Sequence, residues 1–484
     1  MVDKGGRRVM WHDYLRHAIT TKLNCRVFAG FNANVDVVIK LNADMIAGIM
    51  KQEPQILDNP PAEPTEVWPV TTNTEFMALL KECIKVGKSH YGVMDSKLGD
   101  WFSQVFLQRS EAMGGQAGII ANQMAALGAT SSVYSPVLSS KQAASFDSRV
   151  LYPEVNSGIT WIPVRESVND QWTKLNYIFE YAKGITFKFG DEEITSPRAN
   201  RVILGTRNPK AAMGFDPEIA SHLPELGQTI DVAFMAGYHH GRIEGRAETL
   251  DEYIKLSSDD LLRLKSKNPE LKLHLEYVPM PDADDEKKLL KSLAPLFTSF
   301  GINENEIRRL LAGLGYGELA AEIAENERAF SLYKGALAVA RELNVPRIHL
   351  HNLGYYVVVL MKPYGVDPEI VRQACLFASA VNAVKAMQGG AVPLEDVDQM
   401  VDYPLSDVGM KQLQEFVSEA QSLGLPAGEA VLATGIMELD DHWALVVPAH
   451  IVPNPVSTVG MGDTVSSSAY AAEISLAAAA QRGS

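Results

Sequence analysis

Between residues 232 and 387 the chain alternates short β-branched runs with longer helical patterns, and this alternation limits the fold more than any other feature. Strand-like runs at 232–236, 271–278, 297–302, 347–350 and 355–360 are separated by helical patterns at 250–264, 284–293, several more up to 342, and finally 367–387. A strand that re-enters a sheet parallel to its predecessor needs a crossover, and the crossover helices cover both faces of the sheet. The expected fold is therefore α/β, with a largely parallel sheet between two helical layers.

Upstream, residues 25–31 read as a buried strand that ends in Asn32-Ala33-Asn34-Val35-Asp36. In α/β sheets, polar groups at strand ends meet ligands. Asn34 and Asp36 suit sugar hydroxyls, and they suit a turn equally well. From 41 to 100 the pattern changes to a helix, a Pro-rich passage and a second helix, which reads as an insertion. Met113-Gly114-Gly115-Gln116-Ala117-Gly118 then forms a Gly-rich turn into a helix, where backbone can approach a ligand or pack on a strand. Residues 152–205 are β-rich, and cations recur in and just beyond them at Lys174, Lys183, Lys188, Arg198, Arg201 and Arg207. These cations define either a solvated strand face or a phosphate-binding lid, because guanidinium forks match phosphate oxygens.

The chemistry concentrates near the end, in Ser457-Thr458-Val459-Gly460-Met461-Gly462-Asp463. Two glycines permit a tight turn with inward amides, and the small residues that follow can start a helix whose positive end faces the same point. Beside an anion held there, Asp463 is placed to take a proton from an attacking hydroxyl; a helix cap is the plain alternative. The turn fails the dinucleotide fingerprint at Val465, and Gly87-Lys88-Ser89 fails the Walker pattern at Glu82. Two further strand ends carry carboxylates. His274-Leu275-Glu276 places two functional side chains on one side of a strand, and Asn303 stands one helical turn from Glu306. Glu276 and Glu306 are oxygen ligands of the kind Mg²⁺ takes through its waters, although Asn303 and Glu306 also spell a capping box.

A net charge of −15 over 484 residues, with no compensating basic run, argues against nucleic acid and anionic membrane as partners. Cys25, Cys83 and Cys375 have neither disulfide-framework nor zinc spacing, and the charged N-terminus lacks a leader's apolar run. The expectation is a cytoplasmic protein acting on small molecules.

With Asn34-Val35-Asp36, Gly114-Gly115-Gln116-Ala117-Gly118, His274-x-Glu276, Asn303-x-x-Glu306, His351-Asn352-Leu353-Gly354-Tyr355-Tyr356 and the final motif in one order, the chain resembles the archaeal ADP-dependent sugar kinases. These are the ADP-dependent phosphofructokinases and glucokinases of the ribokinase-like superfamily. The resemblance implies a three-layer α/β/α domain from 1–36, 116–150 and 206–484, with a smaller β-containing lid from 37–115 and 151–205. It implies Asp463 as general base, with Gly460, Met461 and Gly462 supplying the anion hole, and Glu276 and Glu306 holding Mg²⁺ on ADP. Tyr356 matches the aromatic stacked on adenine, Val452 the apolar residue opposite it, and His351 a further nucleotide contact. Asn34, Asp36, Gly115 and Gln116 match sugar contacts.

Lys174, Asn176 and Arg207 stand where the glucokinases have Glu, His and Asp, and Arg201 is kept. A sugar 6-phosphate needs charge-assisted donors, so these residues point to fructose 6-phosphate and a glycolytic ADP-dependent phosphofructokinase. Tyr91 stands where glucokinases carry a glucose-binding Glu. The alternatives are a glucokinase, an enzyme taking both sugars, or a sugar-phosphate-binding protein without turnover. His239 and His450 replace a Gln and a basic residue near the nucleotide phosphates, an arrangement expected to make ADP affinity depend on pH near 6.5.

Overall fold

In the first strand, β1 (Arg26–Phe31), every residue after Arg26 is buried, as a strand covered on both faces requires. The computed structural model describes residues 4–58, 69–206, 213–243 and 245–483. After β1 the chain passes into β2 (Asn34–Lys40), β3 (His90–Met94), β4 (Ser110–Gly114), β5 (Thr130–Tyr134), β6 (Leu151–Val155) and β7 (Ile159–Pro163). It continues through β8 (Leu175–Tyr181), the hairpin β9 (Thr186–Phe189) and β10 (Glu192–Thr195), and β11 (Asn200–Thr206). The second half supplies β12 (Val232–Ala236), β13 (Lys272–Glu276), β14 (Ser299–Asn303), β15 (Arg347–Asn352), β16 (Tyr355–Met361), β17 (Ile436–Glu438) and β18 (His442–Pro448).

Eleven strands form the main sheet in the order β17-β18-β16-β15-β14-β13-β12-β1-β5-β6-β7. Pairing is parallel from β15 through β6 and antiparallel at both ends. The expected α/β layering is what the chain adopts. On one face, helix Pro368–Gln388 packs along the C-terminal helix Met461–Gly483, which also meets helix Gln116–Ala126; helices between 250 and 342 cover the other. Because the sheet is parallel, the C-terminal ends of β1, β12, β13, β14 and β15 open at one edge. Asn32, Glu276, Asn303 and His351 gather there although they lie far apart in sequence.

A second sheet, β3-β11-β8-β2-β4, has its own core. Side chains alternate across its pleat. Val37, Ile39, Tyr177, Phe179, Val202 and Leu204 turn toward Phe76 and Phe102 of helices Asn73–Val86 and Leu98–Val105. Phe179 lies 4.6 Å from Phe76 and 4.9 Å from Phe102 between ring centroids. The intervening residues, among them Asn34, Asp36, Asn176 and Arg201, fall on the opposite face.

Two expected boundaries move. Asn34 and Asp36, placed by sequence in the large domain, already pair in the small sheet, with Asn34 opposite Gly114 and Asp36 opposite Asn176. Residues 151–163, expected in the lid, are β6 and β7 of the main sheet, where Leu151 pairs with Ser132 of β5. Their β-rich composition is that of an antiparallel hairpin closing the edge of the main sheet, which composition does not distinguish from a lid strand.

Candidate active site

Gly460 has φ of +65°, and a Cβ there would lie 2.5 Å from Ile119 Cδ1, so the turn into the last helix excludes a side chain on both counts. The helix begins at Met461, and the amide of Thr464 bonds the Gly460 carbonyl at 3.1 Å. Amides ahead of Thr464 lie outside the helical ladder, at its positive end. Asp463 sits in this first turn, half-buried. Its carboxyl is pushed up to about 8 by burial, with the charges of Glu276 and Asp36 adding and Lys385 opposing. A carboxyl held that high keeps its proton through most of the neutral range and, once ionised, is a strong proton acceptor.

Glu276 ends β13 and is buried. Its surroundings fix its orientation. The Arg347 guanidinium donates through Nη1 to Ser299 Oγ at 2.8 Å, and Ser299 Oγ lies 2.9 Å from His274 Nδ1. His274 Nε2 lies 3.0 Å from Glu276 Oε2, so a continuous chain of polar contacts runs from Arg347 through Ser299 and His274 to Glu276. Ser466 of the last helix reaches Glu276 Oε1 at 3.4 Å. Glu306 does complete the capping box: the Asn303 amide donates to its Oε2 at 3.0 Å, and its own amide donates to Asn303 Oδ1 at 2.9 Å. Only one carboxyl oxygen serves the cap, and both glutamates are pushed up to about 8 by burial, with Glu276, Asp463 and Glu304 adding at Glu306. Three half-buried or buried carboxyls that repel one another form a donor set suited to a divalent cation. Among the described residues no three His, Cys, Asp or Glu side chains converge closely enough to ligate a metal directly.

Beside the motif opens a cleft of about 220 Å³. His351, Tyr356, Val452, Met461 and Gly462 line it, bringing together five residues predicted as nucleotide contacts. Tyr356 faces His351 across the β15–β16 pair. Position 462 has little room, since a Cβ there would lie 2.8 Å from His351 Nε2. His450 lines the same cleft, but it bonds Ser379 Oγ at 2.7 Å and burial lowers it to about 4. It is neutral throughout the range in which a pH effect on ADP was expected, so that expectation does not hold for His450.

Across the cleft stands the polar face of the small sheet. Asn34 Nδ2 donates to Asp36 Oδ1 at 2.6 Å, and burial raises Asp36 to about 6 despite Asn34, Asn176, Arg201 and Lys174 favouring its charge. Gly115, at φ +74°, brings the backbone against the Asn32 carbonyl, and Gln116 accepts from Asn32 Nδ2 at 2.6 Å. The Lys174 ammonium donates to Asn32 Oδ1. Arg201 Nη1 reaches Thr458 Oγ1 at 3.2 Å, joining the small sheet to the loop that carries Asp463. Arg207 lies outside the described residues. Two other cations of the β-rich segment turn away: Lys188 lies 3.8 Å from Glu193 in the β9–β10 hairpin, and Arg198 Nε bonds the Gly87 carbonyl at 2.5 Å. Sequence reasoning missed Asn32, which links Lys174 to Gln116, and Lys385 on helix Pro368–Gln388. Asn32 was signalled by its place at the strand end; Lys385 had no sequence signal.

A conserved-region model of the ADP-specific phosphofructokinases and glucokinases matches residues 25–472. The chain belongs to this family. Family relatives include the ADP-specific phosphofructokinase of Pyrococcus abyssi, 30% identical over 92% of this chain and 96% of that protein. The ADP-dependent glucose/glucosamine kinase of Pyrococcus furiosus is 27% identical over 96% and 99%. Among solved structures, an ADP-dependent kinase in complex with fructose-6-phosphate and ADPbetaS superposes with a TM-score of 0.82 at 28% identity, covering 97% of this chain and 98% of that one. The family uses ADP as phosphoryl donor, and among the described residues no helix is long and apolar enough to cross a membrane.

Proposed function

We propose that this member of the family is an ADP-dependent phosphofructokinase, transferring the β-phosphoryl group of ADP to the 1-hydroxyl of fructose 6-phosphate. The products are AMP and fructose 1,6-bisphosphate, a glycolytic step. The observation that carries this reading is the Arg201–Thr458 contact, which sets a lid guanidinium beside the loop of the candidate base. Relatives named phosphofructokinase and the solved complex containing fructose-6-phosphate support it.

In the reaction, Tyr356 and Val452 hold adenine in the cleft, with His351, Met461 and Gly462 along the phosphates. Asn34, Asp36, Asn176, Gly115 and Gln116 orient the sugar, and Lys174 with Arg201 and Arg207 holds its 6-phosphate through charge-assisted bonds. Closure of the small sheet excludes water and sets the 1-hydroxyl against Asp463, which takes its proton as that oxygen attacks the β-phosphorus and AMP departs. The amides at Gly460 to Asp463 face the charge spreading over the transferring oxygens. Glu276 and Glu306 would hold Mg²⁺ through its waters, and the ion supplies positive charge against the donor phosphates.

The test is AMP release with ADP or ATP crossed against fructose 6-phosphate or glucose. The reading expects turnover with ADP and fructose 6-phosphate above all other pairs. Preference for glucose would assign the glucokinase activity instead, and no AMP with any sugar would leave a binding protein.

A further inference from the structure

Helix Pro368–Gln388 presents a polar side chain to the nucleotide cleft. Ser379, Asn382, Ala383 and Ala386 recur at helical spacing and share a face, and the last three line the cleft together with Tyr356 and Val452. Ser379 is committed within the protein. Its Oγ lies 2.7 Å from His450 Nδ1 and accepts from the His450 amide at 2.8 Å. Asn382 is not: its Oδ1 is buried and meets no donor among the described residues. The side chain is half-buried on a helix where Val381, Ala383 and Val384 are fully so. Asparagine is a weak helix former, and a buried acceptor without a donor destabilises the fold. An asparagine here is therefore unfavourable unless a group from outside the chain bonds it.

The surrounding wall defines that group. Tyr356, Val452, Ala383 and Ala386 make this end of the cleft apolar and aromatic, a lining for a flat ring. A carboxamide offers an acceptor and a donor side by side, and its complement on a flat base is an amino group next to an unprotonated ring nitrogen. Adenine carries that pair at its 6-amino group. Two other polar side chains of the cleft are engaged elsewhere. His351 sets Nε2 against position 462, where phosphate is expected, and His450 is held by Ser379 with its ring 5.9 Å from Tyr403. We propose that Asn382 reads the base of the donor nucleotide, its Oδ1 accepting from the adenine 6-amino group and its Nδ2 donating to the neighbouring ring nitrogen. It is a specificity-determining residue, a role that rests on Tyr356 and Val452 holding adenine.

The experiment measures binding without turnover. Isothermal titration calorimetry compares AMP with purine riboside 5′-monophosphate, which lacks only the 6-amino group, on the native protein and on Asn382→Ala. The native protein should bind AMP about tenfold or more tightly than the analogue, the effect of one hydrogen bond in a desolvated site. In Asn382→Ala that preference should fall to within about threefold. The melting temperature of the ligand-free variant should equal or exceed the native value, because alanine is the better helix former and removes the orphaned oxygen. A structural asparagine would instead lower the melting temperature and leave the preference intact, and an intact preference would overturn the proposal.

Steady-state kinetics gives a second readout. Asn382→Ala should raise the KM for ADP about tenfold, with kcat and the KM for fructose 6-phosphate nearly unchanged. If the native protein did not distinguish the two monophosphates, the base contact would fail while turnover with ADP left the proposed function standing. If it released no AMP from ADP with any sugar, yet lost its preference in Asn382→Ala, the proposed function would fail and the base contact would stand. Asn382→Leu replaces Asn382→Ala in each measurement if the alanine variant melts below the assay temperature.

Discussion

Asp463→Asn separates activity from stability. The substitution is nearly isosteric, so the turn at Gly460 and the cleft keep their shape while the proton acceptor is lost. Turnover should fall by roughly two to four orders of magnitude, the usual contribution of a positioned base. Stability should move the other way. Asp463 titrates at about 8 in the folded protein against an ordinary 3.8, because burial and the charges of Glu276 and Asp36 disfavour its ionised form. A carboxyl raised in this way contributes stability that is complete below its unfolded value and is lost as pH rises through its folded value. Each unit is worth about 1.4 kcal/mol, so the roughly three units between 3.8 and neutral pH set a ceiling of about 4 kcal/mol. The half-buried carboxyl is partly screened by solvent, which reduces this to about 1 to 3 kcal/mol. For a chain of 484 residues that corresponds to about 1 to 3 °C in melting temperature. Differential scanning fluorimetry of both proteins at pH 5 and pH 8, without nucleotide or divalent cation, reads the effect directly. Most other titrating groups are common to both proteins and largely cancel in the difference. The variant's advantage should grow from pH 5 to pH 8 and shrink when a divalent cation and ADP neutralise the site. Activity within tenfold of native would refute the base, and a melting difference that does not change with pH would refute the buried, crowded carboxyl.

Arg201→Ala removes the guanidinium that bridges to Thr458. Losing one charge-assisted bond of about 1.5 to 3 kcal/mol should raise the KM for fructose 6-phosphate about 10- to 150-fold with little change for ADP, and equal effects in steady-state kinetics would defeat the lid assignment. Gly462→Ala would place a methyl 2.8 Å from His351 Nε2, so the KM for ADP should rise by roughly tenfold at near-native melting temperature; an unchanged KM would show that this edge of the cleft does not meet nucleotide. His450 is neutral well above its lowered value of about 4, so His450→Gln should leave the pH dependence of the KM for ADP between pH 5.5 and 7.5 unchanged, and a step near 6.5 that vanishes in the variant would mean the imidazole is far more exposed than its Ser379 contact implies.

Sequence alone determined the features that depend on neighbours a few residues away. The strand and helix periods at 232–387 set the layered sheet, Gly460 and Asp463 announced a helix start after a tight turn, and Asn303 with Glu306 spelled a cap that is present. Tertiary structure decided what shares a space. Glu276, Glu306 and Asp463 come together because parallel pairing aligns the ends of strands whose crossovers are long. Which cations face the sugar is set by register, since the pleat sends Arg201 toward Thr458 while the separate hairpin carries Lys188 outward. The same pairing moved residues 151–163 out of the lid. Local propensity ranks conformations of a segment, whereas the order of strands in a sheet is fixed by the burial of whole faces, which no single segment encodes.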